Sequence, residues 1–207
     1  MLKLGIMVSG GGTNLQAIID RVKSGYLTDC RIVTVVSSRA DAYALERARN
    51  NGIPAAVISK KSFLSSEEYD RALIEHFAKH DVGLVVLAGF LSMLGEGFVN
   101  AYRNRIINIH PSLIPSFCGK GFYGLVPHIK ALEYGVKVTG ATAHFVDNEY
   151  DSGPIILQKA VEIKDGDTPE MLQQRVMQEA EWEILPEAVR LYSQGRLVIE
   201  GRKVRIG

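Results

Sequence analysis

The chain has little cysteine, with only Cys30 and Cys118 among 207 residues. Two cysteines so far apart give neither a disulfide framework nor metal-ligand spacing, and they fit a reducing compartment. It also lacks an excess of charge of either sign. Lys and Arg number 24 against 23 Asp and Glu, a net charge of +1, which leaves no electrostatic footprint for nucleic acid or an anionic membrane. Long hydrophobic runs are missing too. The apolar opening, residues 2–8, is interrupted by Lys3 and is far shorter than the roughly 20 residues a bilayer span needs. A cytoplasmic protein is expected. There is no Walker loop, no Gly-x-Ser-x-Gly nucleophile elbow, no repeat, no low-complexity tract and no flexible linker.

What is present is an ordinary globular composition, 46% hydrophobic and 23% charged, with enough chain for a sizeable core. Strand and helix signals alternate. Apolar, β-branched runs at 3–8, 31–36, 55–58, 82–87 and 106–110 read as strands. Between them, apolar residues at helical spacing mark helices near 13–22, 42–50, 65–79 and 94–102. Thr13 or Asn14 is expected to cap the first. After a glycine-rich loop, 127–134 reads as a helix and 137–146 and 155–163 as strands joined by a turn. Thr168-Pro169 opens one long helix to about 192, and 196–206 alternates as a hairpin around Gly201. This order predicts an α/β fold: a doubly wound, mostly parallel sheet with an antiparallel addition in the C-terminal half, as a single domain over 1–207.

The densest motif is Arg105-Ile-Ile-Asn108-Ile-His110-Pro111-Ser112. Pro111 cannot continue an inner strand, so the strand stops at His110. Asn108 and His110, two apart, leave the same face at a strand's carboxyl end, where open α/β sheets bind ligands. An amide and an imidazole there suit hydrogen bonding to a carbonyl oxygen that gains charge. Downstream, Thr142 and His144 share a strand face, and Asp151 follows in a turn held by Gly153-Pro154. Singly, a buried His or a turn Asp bonded to nearby backbone is an ordinary structural feature. Together, Asn108, His110, His144 and Asp151 supply electrophilic donors and a carboxylate for proton handling. With no activated nucleophile and no metal spacing, they point to direct transfer between two bound substrates.

The first loop, Ser9-Gly10-Gly11-Gly12-Thr13-Asn14, joins a strand to a helix. Glycine there lets a phosphate approach the amides of the helix N-terminus. Gly10-x-Gly12 begins like a dinucleotide fingerprint, but Leu15 stands at the third glycine position. Ser38-Arg39 suits a 2′-phosphate, so an NADP-binding oxidoreductase stays open as the alternative. Three glycines followed by Thr-Asn favour a phosphate monoester.

The segments Ser-Gly-Gly-Gly-Thr-Asn-Leu-Gln, Val-Val-Leu-Ala-Gly-Phe-Leu-Ser-Met-Leu, Asn-Ile-His-Pro-Ser-Leu-Ile-Pro and Gly-Ala-Thr-Ala-His-Phe-Val…Asp-Ser-Gly-Pro occur in one order. They resemble the phosphoribosylglycinamide formyltransferase family of folate-dependent enzymes over essentially the whole chain. Methionyl-tRNA formyltransferases carry a further C-terminal domain and formyltetrahydrofolate deformylases an N-terminal one, and neither fits this length. The resemblance implies a phosphate-binding half, 1–102, and a catalytic and folate-binding half, 103–207. It implies transfer of the formyl group of 10-formyltetrahydrofolate, a co-substrate, to the amine of 5-phosphoribosylglycinamide, without a metal, in de novo purine synthesis. By resemblance, Gly11, Gly12, Thr13 and Asn14 hold the ribonucleotide phosphate, with Glu181 and Gln178 also on the ribonucleotide. Leu91, Ser92, Met93 and Leu94 line the pterin pocket, with Ser66 and Asn108 also on the folate. Asn108 and His110 polarise the formyl oxygen, Asp151 is the general acid/base, and His144 supports it. Many relatives carry basic residues at the Ser66 and Ser92 positions, and Lys60 or Lys61 is expected to stand in. The implied partners are small molecules, with no nucleic acid or membrane, and a monomer or homodimer.

Overall fold

Runs of Val, Ile and Leu with few polar interruptions make strands that are covered on both faces, the signature of parallel sheets. The computed structural model describes residues 1–207 and divides into two compact units, Met1–Ile107 and Asn108–Gly207. In the first unit, β1 (Leu2–Val8) pairs in parallel with β2 (Cys30–Ser37) and with β4 (Leu84–Leu87), and β2 pairs in parallel with β3 (Ala55–Val57). The order is therefore β3-β2-β1-β4. The helices are α1 (Thr13–Lys23), α2 (Tyr43–Asn50), α3 (Ser66–Lys79) and α4 (Glu96–Ala101). Leu4, Ile6, Leu15, Ile18, Leu73, Phe77 and Phe98 are fully buried between sheet and helices. Gly5 in β1 is dictated by this packing, since a Cβ there would stand 2.7 Å from the Phe77 ring. β5 (Ile106–His110) crosses the boundary between the units.

In the second unit, β6 (Val138–Phe145) and β7 (Ile155–Glu162) run antiparallel. The hairpin of β8 (Leu197–Glu200) and β9 (Lys203–Ile206) joins through a parallel β7–β9 pair. A Cβ on Gly153 would lie 1.9 Å from the Phe145 carbonyl oxygen, so only glycine fits the turn that returns from β6 to β7. α5 (Val126–Tyr134) precedes β6. The predicted long helix is continuous, as α6 (Pro169–Val176), a π-helical turn at Met177–Glu181, and α7 (Trp182–Ser193). The α/β class, with parallel pairs first and antiparallel pairs later, is the one the sequence predicts. No helix is long and apolar enough to cross a membrane.

One local expectation differs. Neither Thr13 nor Asn14 caps α1. Gly12 is the N-cap, at φ 72°, with no side-chain hydrogen bond to the helix. The left-handed turn at Gly12 starts the helix one residue earlier, placing Thr13 and Asn14 inside its first turn. The Lys60–Ser62 segment forms a short 3₁₀ turn that no sequence signal marked.

Candidate active site

The second unit gathers the motif residues around Asp151. β5 delivers Asn108 and His110 from one face, as their spacing requires. The Asn108 amide nitrogen lies 3.1 Å from His144 Nε2 and 3.5 Å from Asp151 Oδ1, and His110 Nδ1 lies 3.4 Å from Asp151 Oδ2. His110 and His144 are buried and the Asp151 side chain is 15% exposed. Asp151 holds φ 49°, a left-handed conformation that Asp tolerates better than most residues.

The hydrogen bonds define protonation states. His144 Nδ1 donates to the Phe145 carbonyl oxygen at 2.8 Å. Burial lowers the pKa of His144 against the raising effect of that bond and of Asp151. A neutral ring protonated at Nδ1 leaves Nε2 as acceptor for the Asn108 amide. The Asn108 NH₂ is thereby oriented, one hydrogen on His144 and the other on the long contact to Asp151. That second contact is the weak one, and a substrate oxygen can replace it.

His110 is held by main chain that the motifs do not reveal. Its Nε2 donates to the Phe117 carbonyl oxygen at 2.9 Å, and Gly119 N–H donates to Asp151 Oδ2 at 2.9 Å. A ring that donates from Nε2 offers a hydrogen at Nδ1 only as the imidazolium. Thr142 latches the intervening loop: its hydroxyl donates to the Ser112 carbonyl oxygen at 2.7 Å and accepts from Ile114 N–H at 3.1 Å. Cys118 lies between the two anchoring residues. Burial and the Asp151 charge both raise its thiol pKa, which suits packing and not nucleophilic attack. His128 on α5 is fully buried, and neither ring nitrogen has a hydrogen-bond partner. Burial, aided by the His110 charge, lowers its pKa to about 4.

The first unit carries the loops. Ser9 ties them together: its N–H donates to the Gly89 carbonyl oxygen at 3.1 Å, and its hydroxyl accepts from Leu91 N–H at 2.8 Å. Leu94 is buried, whereas Leu91 and Met93 are exposed. Buried Asp70 on α3 accepts from Gly95 N–H at 2.9 Å and Phe98 N–H at 3.1 Å, fixing the end of this segment onto α4. Lys60 Nζ donates to the Met93 carbonyl oxygen at 3.2 Å and stands 5.9 Å from the Tyr69 ring centroid. A cleft of about 980 Å³ is lined by Ser9, Ser38, Lys60, Lys61, Leu91 and Ser92, among others. Ser66, the first residue of α3, lies outside that lining. Arg39, on which the NADP alternative rested, is forked onto Asp41 through bonds of 2.9 and 2.6 Å.

Residues 2–189 match the formyl transferase family. The chain belongs to that family. The crystal structure of glycinamide ribonucleotide transformylase 1 from Symbiobacterium toebii is 48% identical, with a TM-score of 0.93 over 100% of this chain and 94% of that one. The phosphoribosylglycinamide formyltransferase of Escherichia coli is 41% identical over 93% of this chain and 87% of its own length. The trifunctional purine biosynthetic protein adenosine-3 of Chironomus tentans is 41% identical over 93% of this chain. This chain spans 14% of that protein, and 19% of its Gallus gallus counterpart. None of these similar proteins is named as an oxidoreductase.

In this member of the family the expected residues fall into three groups. Asn108, His110, His144 and Asp151 come together within one unit. Gly11, Gly12, Thr13 and Asn14 form the β1–α1 loop and the start of α1 in the other. Gln178 and Glu181 lie on the π-helical turn, a distortion that often marks functional positions, and there Gln178 is exposed and Glu181 buried. Phe117 and Gly119 escaped the sequence reading because they act through backbone atoms, which side-chain motifs do not report.

Proposed function

We propose that the chain transfers the formyl group of 10-formyltetrahydrofolate to the amine of 5-phosphoribosylglycinamide, giving formylglycinamide ribonucleotide and tetrahydrofolate in the cytoplasm. The observation that carries this reading is the convergence of Asn108 and His110 on Asp151 within 3.5 Å. The neutral amine attacks the formyl carbon, and the carbonyl oxygen takes the negative charge. The Asn108 NH₂ and the His110 ring stabilise that oxyanion. Asp151 accepts a proton from the attacking nitrogen and returns one to N10 as the carbon–N10 bond breaks, so the carbonyl re-forms without a covalent enzyme intermediate. His144 acts by orienting Asn108. The β1–α1 loop takes the ribonucleotide phosphate, Glu181 and Gln178 contact the ribonucleotide, and the segment Leu91, Ser92, Met93 and Leu94 takes the pterin. Lys60, held against Met93, supplies a positive charge where Ser66 and Ser92 do not.

Asp151→Asn tests the reading. Tetrahydrofolate release with both substrates should fall by about a hundred- to ten-thousand-fold, the usual contribution of a positioned acid/base. The KM for ribonucleotide should change by only a few-fold. A variant that keeps most of its turnover would refute the role.

A further inference from the structure

The loop Ser9-Gly10-Gly11-Gly12-Thr13-Asn14 contains no basic residue, although a phosphate dianion is its proposed ligand. A fixed cation comes from α2. Arg47 Nε donates to the Gly11 carbonyl oxygen at 2.8 Å, and its Nη1 donates to Gln16 Oε1 at 3.2 Å in the first turn of α1. The guanidinium lies 5.1 Å from the Tyr43 ring centroid. One turn back on α2, Ala44 N–H donates to the Gly10 carbonyl oxygen at 3.0 Å. We propose that Arg47 is a positioning residue for the ribonucleotide phosphate, setting both the orientation of the loop amides and the local charge. The inference rests on the loop being the phosphate site.

Peptide geometry supplies the first part of the argument. In a trans peptide the N–H points opposite to the C=O. Drawing the Gly10 and Gly11 carbonyls toward α2 therefore turns the Gly11 and Gly12 N–H groups away from it. Neither of these amides has a hydrogen-bond partner in the chain. The space agrees. A Cβ on Gly12 would meet Ala44 Cβ at 2.6 Å and Arg47 Cδ at 3.4 Å, whereas Cβ atoms on Gly10 or Gly11 would meet nothing within 4 Å. The side packed on α2 is closed and the opposite side is open. Two adjacent amides facing open space form an anion-binding concavity.

Charge supplies the second part. The Arg47 guanidinium makes no ion pair with a carboxylate, unlike Arg39, which is taken by Asp41. An unpaired guanidinium behind the loop adds to the positive end of the α1 dipole. Arginine suits this position because its planar fork bonds in two directions while stacking on Tyr43. A lysine retains the charge but not the fork.

The test compares 5-phosphoribosylglycinamide with its dephosphorylated ribonucleoside at saturating 10-formyltetrahydrofolate, in wild type, Arg47→Gln and Arg47→Lys. In Arg47→Gln the ribonucleotide KM should rise about tenfold, with kcat within about twofold. The ribonucleoside kcat/KM and the folate KM should stay at wild-type values, and Arg47→Lys should recover part of the ribonucleotide loss. An equal fall for both substrates would make Arg47 a merely structural residue and overturn the inference. So would a wild-type preference for the phosphorylated substrate that survives in Arg47→Gln. If wild type itself does not distinguish the two substrates, the phosphate reading of the loop fails, and the inference fails with it.

Discussion

Acid should unfold this protein partly through one histidine that has no part in the proposed chemistry. His128 is fully buried without a partner for either ring nitrogen, and its pKa falls from its ordinary 6.5 to about 4. Burial is the larger cause and the positive charge of His110 the smaller. Between these two pH values the unfolded chain binds a proton that the folded chain refuses. Stability therefore rises with pH across the window, and it is lost as pH falls from 6.5 toward 4. Each pH unit in the window costs about 1.4 kcal/mol, so the full effect is about 3 kcal/mol. That is a large share of the 5–15 kcal/mol typical of a folded domain. His128→Leu keeps a similar volume and removes the titration. Urea unfolding of wild type and variant at pH 7, 6, 5 and 4.5 measures the difference. With a slope near 3 kcal/mol/M, the variant's midpoint should gain on wild type by up to about 1 M toward the acid end. A gap that stays constant from pH 7 to pH 4.5 would refute the reasoning.

Asn108→Ala and His110→Ala should each lower turnover by about a hundred- to a thousand-fold with smaller effects on KM. The double variant should lose far less than the product, because the proposed mechanism puts both side chains on one oxyanion, and a multiplicative loss would contradict that. Gly12→Ala should lower stability by about 1–2 kcal/mol, since φ is 72° and the new methyl would meet Ala44 at 2.6 Å. Gly11→Ala should melt like wild type yet bind ribonucleotide less well, and equal melting losses in the two variants would contradict this. Asp70→Ala removes the acceptor of the Gly95 and Phe98 amides. It should cost at least about 1–2 kcal/mol and raise the folate KM while leaving the ribonucleotide KM in place. A KM change confined to the ribonucleotide would show that Asp70 does not position the 91–94 segment.

The alternation of apolar strands with amphipathic helices was legible from the residues because both periods are local: two along a strand, 3.6 along a helix. That was enough for the α/β class, for the end of β5 at Pro111, and for Asn108 and His110 on one face. The order of the motifs was enough for the family resemblance. Other features depend on what folding brings alongside. Gly12 displaced the expected Thr13 or Asn14 cap because α2 packs against the loop and imposes a left-handed turn. The π-helical turn at Met177–Glu181 interrupts a periodicity that reads as one plain helix. The contacts to Asp151 from Asn108, 43 residues away, and from Gly119, 32 residues away, have no local signature. Sequence alone therefore determined which residue types stand at the strand ends and in what order. Tertiary structure alone decided which hydrogen His144 carries, which backbone groups hold His110 and Asp151, and that an arginine from α2 holds the glycine loop. Those outcomes follow from hydrogen-bond partners and burial, which exist only once distant segments are packed together.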